Sequence, residues 1–218
     1  MKKVLLTIIL SMFAFAQANA VTFSIGAAGN QSVFYGSASE KNHDESGTLR
    51  TTANGDGAFD PSYASIFIEI GNETASLGAS YSDNFKTPKA INEFNTAGTD
   101  NTTEVEAHFE NLITYYGKVN IPLGGLYAKV GYQTVDIETV ETTKSGSTYP
   151  DTSTDGFIAG IGYEHQAGNG FGIRIEIVGH EFDNVKVDNG AGTGGNLNVI
   201  EVTEMYGATA SLAVVKSF

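Results

Sequence analysis

The sequence predicts an all-β protein: an eight-stranded antiparallel up-and-down barrel that crosses a membrane. Three observations carry this. Apolar residues recur at every second position almost throughout from Val21 onward. The connections between these segments run long, short, long, short, long, short, long. No apolar run after residue 20 is long enough for a spanning helix.

Residues 1–20 stand apart. Met1, Lys2 and Lys3 form a basic start, residues 4–16 an apolar run, and Ala18-Asn19-Ala20 a small-x-small cleavage site. The expected product is an exported chain with one barrel domain, 21–218. Cleavage follows Ala20, with Ala18 the other small residue of the site. The chain has 26 Gly, 10 Tyr and 13 Phe but only 4 Pro, a composition that leans to strands. Cysteine is absent, so backbone ladders and packing must hold the fold. The formal charge is -13, and losing Lys2 and Lys3 makes it more negative. Such a balance argues against nucleic acid and admits divalent cations. A mean hydropathy of -0.10 fits a membrane barrel, in which only alternate residues need be apolar.

The elements follow in order. Segment 21–37 sets Phe23, Ile25, Ala27, Val33 and Tyr35 against Thr22, Ser24, Gly26, Asn30 and Ser32. A polar stretch, 38–61, reads as a long loop, and its Asn54-Gly55-Asp56-Gly57 as an ordinary polar turn. Segment 62–70 alternates Ala64, Ile66, Ile68 and Ile70 with Tyr63, Ser65, Phe67 and Glu69. After a tight turn at 71–73, segment 74–85 sets Ala75, Leu77, Ala79, Tyr81 and Phe85 against serines and Gly78. Loop 86–103 leads to 104–121, with Val105, Ala107, Phe109, Ile113 and Tyr115 on one face and Glu106, His108, Glu110, Thr114, Tyr116 and Lys118 on the other. Turn 122–125, segment 126–140, loop 141–155 and segment 156–165 continue the pattern. After turn 166–170, Phe171, Ile173, Ile175 and Ile177 alternate with Gly172, Arg174 and Glu176. A Gly/Asn-rich loop, 188–196, precedes the last strand, in which Tyr206, Ala208, Ala210, Leu212, Val214 and Phe218 share a face.

Eight strands enclose a lumen about wide enough for side chains, so the small and polar set faces inward. Near the short turns this places Glu69, Lys118, Lys129, Glu164, Arg174 and Glu176 together, three acids and three bases, with Glu110 joining the interior network farther up. Pairing is expected because an isolated buried charge is costly. Outward aromatics are expected in two bands. Phe23, Leu126, Phe171 and Phe218 mark the short-turn end. Tyr35, Tyr81, Phe85, Phe109, Tyr132 and Phe157 mark the other. Glu106, His108, Glu110 and His180 read as a hydrated polar lining rather than a metal or acid–base cluster.

On this topology, interior charge balance and terminal strand, the chain resembles the eight-stranded outer-membrane barrel family: the OmpA transmembrane domain, OmpX and the opacity-type porin-family proteins. The resemblance spans 21–218. It implies a Gram-negative outer membrane, lipid and lipopolysaccharide around a monomer, and both termini in the periplasm. It also implies recognition by the barrel-assembly machinery, with Tyr206, Leu212, Val214 and Phe218 as the signal. Lys216 departs from the apolar or aromatic residue usual there, although lysine at an interface can snorkel.

The expected role is non-catalytic and without cofactor or metal: envelope structure or surface adhesion through four long acidic loops, which admit divalent cations or other surface ligands. The alternative is a narrow porin-like channel for ions or small solutes. A lipid-modifying enzyme is a remote third. The deacylase type has Ser two places after its His, whereas His43, His108, His165 and His180 have Glu45, Glu110, Ala167 and Phe182 there.

Overall fold

The computed structural model describes residues 21–87, 90–96, 99–142, 149–190 and 197–218; of these, 90–96, 99–106, 141 and 142 are described by backbone alone. The cleavage site at Ala18 and Ala20 lies outside the described residues. The strands are β1 (Thr22–His43), β2 (Leu49–Phe59), β3 (Ser62–Gly71), β4 (Ala75–Lys86), β5 (Ala90–Thr96), β6 (Thr99–Asn120), β7 (Leu126–Thr142), β8 (Thr152–Gly168), β9 (Phe171–Phe182), β10 (Val185–Asp188) and β11 (Asn198–Ser217).

Eight of them form a closed ring in the order β1, β3, β4, β6, β7, β8, β9, β11, and every neighbouring pair is antiparallel. β11 returns to β1 along a ladder from Ser24–Ser217 to Asn42–Asn198. Closure leaves neither β1 nor β11 as a free edge for lipid to face. Phe218 N–H donates to Phe23 O at 2.9 Å, so both ends of the ring meet beside the short turns.

β2, β5 and β10 pair with the upper parts of β1, β6 and β11. Segments 38–61 and 86–103, expected as loops, are therefore largely hairpin extensions of the staves, and the Asn54–Gly57 stretch lies in β2. The reason is physical. Strand pairing needs only backbone, and outside a membrane neither face need be apolar, so no alternation marks these strands. The short turns use local capping: Asn72 Oδ1 accepts from Thr74 N–H at 2.8 Å and Ala75 N–H at 3.0 Å.

The wall is inverted relative to a protein made for water. Phe171, Ile173, Ile175 and Ile177 are exposed along β9, while Gly172, Arg174, Glu176 and Val178 are buried. Ile66, Ile68 and Ile70 on β3 and Leu212 and Val214 on β11 are likewise exposed. So continuous an apolar surface calls for a non-aqueous solvent. Phe23, Leu126, Phe171 and Phe218 project at the short-turn end as expected, with the Phe23 and Phe218 rings 6.3 Å apart. Lys216 lies among them, its Nζ 4.5 Å from the Phe171 ring and 5.4 Å from that of Phe218, donating to Asn169 O at 2.5 Å. Its stem covers apolar surface while its ammonium reaches the turn.

Inside, large rings fit because the residue directly opposite each is glycine. Gly26 faces Phe67, Gly78 faces Tyr116, Gly162 faces Tyr127 and Gly207 faces Phe34. A Cβ on Gly162 would fall 2.2 Å from the Tyr127 hydroxyl oxygen. In so narrow a lumen, the missing side chain of each glycine leaves the space its ring fills.

Among the described residues, two bulges away from the hairpin ends break the alternation. Asn111 (φ 52°) interrupts β6 and Glu204 (φ 55°) interrupts β11. Each adds one residue to its strand, so every side chain beyond it changes face. Leu112 and Thr114 are buried below the Asn111 bulge. Above it, Phe109 packs against the buried core while Glu110 pairs in register with exposed Asp136. β4 adapts in parallel: Ser82 and Phe85 are both buried and Asp83 and Asn84 exposed. Phe85 and Phe109 are thus interior residues, not members of the outer aromatic band. Glu110 and His108 are on the outside.

Candidate ligand-binding cavity

The interior is layered from the short-turn end upward. At the bottom, Arg174 (1% exposed) extends from β9 and forks onto Glu69 of β3, with Nη1–Oε1 2.7 Å and Nη2–Oε2 2.8 Å. Its Nη2 also donates to Glu164 at 2.7 Å. Lys118 Nζ bridges the same two carboxylates at 3.1 and 3.3 Å. Lys129 Nζ meets Glu176 at 3.2 Å and lies 3.9 Å from the Tyr116 ring centroid. Tyr116 donates to Glu69 at 2.8 Å, and Tyr127 to Glu176 at 2.7 Å. All six charges expected near the short turns therefore meet, joined by two tyrosines that alternation placed inward without a role. Glu110, also assigned to this network, takes no part: the Asn111 bulge puts it on the opposite face of the wall.

Above lies a polar layer beside a void of about 60 Å³. His180 Nδ1 meets Gln133 Oε1 at 2.9 Å, its Nε2 meets Thr209 Oγ1 at 2.8 Å, and Thr209 meets Ser32 at 2.6 Å. Ser211 donates to Asn30 Oδ1 at 2.7 Å, and Asn30 Nδ2 to Ser65 Oγ at 2.9 Å. Of the four residues expected as a shared inward group, His180 alone is seen to face inward; His108 and Glu110 face out, and the Glu106 side chain lies outside the described residues.

The upper half is not filled. A cavity of about 570 Å³ opens there, and no charged side chain lines it among the described residues. Phe34, Phe85 and Phe182 form its floor over His180, with Phe34 edge-on to the imidazole at 5.5 Å. Ile137, Val185 and Val202 line its sides. The expected side-chain-filled lumen thus holds only for the short-turn half. The bulges contribute, because they turn Phe109, Ile200 and Val202 inward beside Phe34, Ile137 and Phe182.

The wall beside this cavity has a seam. The β3–β4 ladder runs from Gly71–Ser76 and ends at Ile66–Tyr81. Above that point, β2 pairs with β1 and β4 with β6, and no backbone pair joins 62–65 to 82–86 among the described residues. Aromatic rings span the gap instead. Tyr63 stacks on Phe85 at 4.9 Å and Phe59 on Phe109 at 5.7 Å, and Phe85 and Phe109, side by side on β4 and β6, stack at 5.1 Å.

A closed antiparallel ring with its apolar residues outside and its charges inside admits one setting. One solved structure shares this architecture. OprG from Pseudomonas aeruginosa superposes over 92% of this chain and 97% of its own, with a TM-score of 0.58 and 12% identity. The chain has the fold of an outer-membrane β-barrel. The barrel also matches the outer membrane protease OmpT from Escherichia coli (TM-score 0.46, 9% identity, 89% of this chain and 97% of that one) and the outer membrane protein AlkL (0.44, 15%, 89% and 90%). No protein-family model matches the chain, and no curated protein does.

Proposed function

We propose that the barrel accepts small apolar molecules from its long-loop end and releases them sideways, between β3 and β4, into the membrane. The cavity carries this reading: an apolar chamber of about 570 Å³ is of the size that holds one small ligand. The charge plug beneath disfavours axial passage, since an apolar solute there would have to part ion pairs linked across the lumen. The seam supplies an exit closed by rings rather than by hydrogen bonds, and rings rotate at lower cost than a ladder breaks. On this reading the short turns and both termini face the periplasm and the hairpins face outward. The plug also weighs against the porin-like channel. Adhesion through the acidic hairpins is compatible with the same barrel. No catalytic step is assigned.

The chain has no tryptophan and no cysteine, so reporters can be placed cleanly. In lipid nanodiscs, Ile137→Trp fluorescence should be quenched saturably by a brominated short hydrocarbon, whereas lipid-facing Ile177→Trp should follow bulk partitioning. Identical, unsaturable curves would remove the binding reading. A Ser65→Cys/Ser82→Cys pair, which continues the interrupted ladder, should slow delivery of the hydrocarbon to the bilayer when oxidised and restore it when reduced. Unchanged delivery in the oxidised form would remove the lateral exit and leave the cavity standing.

A further inference from the structure

The Asn111 bulge has a consequence on the outer wall as well. Beyond it, His108 and Glu110 lie two residues apart on the outward face of β6, and Glu138 of β7 is the direct cross-strand partner of His108. One donor atom from each of the three lies within 4.8 Å of the others. His108 Nδ1 is 3.4 Å from Glu138 Oε2 and its side chain is only 15% exposed, while Glu138 is 48% exposed. Asp136, next along the same face, is engaged by Asn111 Nδ2 at 3.0 Å. Glu110 is half-buried, with no hydrogen bond or ion pair among the described residues.

We propose that His108, Glu110 and Glu138 form a binding site for a divalent first-row transition ion such as Zn²⁺. One imidazole nitrogen and two carboxylates suit such an ion better than Ca²⁺ or Mg²⁺, which favour all-oxygen shells. A simple His–Glu ion pair accounts for two of the three groups and leaves the second carboxylate crowding the first; a dication satisfies both. Glu and His side chains have the freedom to close the donors from 4.8 Å by rotation, with no change of backbone. The outward side stays open, and water completes the coordination. The ion would tie β6 to β7 directly behind Phe109, one of the rings that close the seam.

The test uses tag-free mature protein in detergent micelles at neutral pH. Co²⁺ is titrated by its visible absorption and Zn²⁺ by calorimetry. One ion per chain is expected. His108→Ala, Glu110→Gln and Glu138→Gln should each weaken binding by at least about 10-fold, since losing a donor costs no less than losing a contact that supports one. His43→Ala should leave it unchanged. All four substitutions lie away from the packed interior, and heat-modifiable gel mobility checks that each variant is folded. Absence of binding, binding that survives His108→Ala, binding that depends on His43, or binding of Ca²⁺ alone would each overturn the site.

Discussion

Arg174 and Glu69, 105 residues apart in sequence and on non-adjacent staves, form a two-pronged ion pair across the lumen. The pair is nearly sealed from solvent, so its partners are the only solvation either charge has. Arg174→Leu should therefore destabilise the barrel by about 3–5 kcal/mol, because Lys118 is the one paired cation left to Glu69 and Glu164. The Glu69→Leu/Arg174→Leu double variant should recover part of that loss. Urea unfolding followed by heat-modifiable gel mobility measures both, and additive losses in the double variant would contradict the coupling.

The glycine opposite Tyr127 makes a second prediction. Tyr127 is 1% exposed and tied to Glu176, so its ring cannot yield to a methyl group at Gly162. Gly162→Ala should cost about 1–3 kcal/mol, the range for overpacking. Adding Tyr127→Leu to the same chain should make the alanine better tolerated, which a cycle of unfolding measurements reads out.

The hydroxyl of Thr209 links His180 to Ser32. Thr209→Val keeps the shape and removes the link, stranding a buried imidazole nitrogen at a cost of about 1–3 kcal/mol. Thr209→Ser should restore most of it. Equal stability of the valine and serine variants would show that the hydrogen bond contributes nothing.

Asn111 sets the phase of upper β6. Asn111→Val should lose about 1–2 kcal/mol, since a β-branched residue resists φ 52°. Deleting Asn111 should exchange the faces. In the parent, Glu110→Cys should react with a water-soluble maleimide and Phe109→Cys should not; in the deletion the order should reverse.

At the rim, Phe218 joins β1 through the Phe23 carbonyl and stands in the short-turn aromatic band. Removing Phe218 should lower the fraction of folded, heat-modifiable protein recovered from membranes. Normal insertion of the shortened chain would dismiss its part in assembly.

The eight staves, their order, the alternate long and short connections and the lipid face were legible in the chain, because period-two patterning is local and the solvent outside the wall is apolar. The six plug charges were legible for the same reason: below the bulges, each lies one position from an exposed apolar residue of its own strand, and so on the opposite face. Their tyrosine partners sat on the inward face too, though nothing but geometry pairs Tyr116 with Glu69. Hairpins β1–β2 and β5–β6 were not legible, since backbone pairing in water leaves no side-chain signature. The bulges were not either. Asn tolerates positive φ, yet an asparagine announces a bulge only once the ladder on both sides is known, and one inserted residue was enough to misplace Phe85, Phe109, His108 and Glu110. Tertiary structure alone decided the rest: the apolar cavity is built from residues on nine strands, and the seam exists because β3 and β4 part company above Ile66 and Tyr81. Alternation states which side a residue faces, while volume and gaps depend on what stands across the lumen.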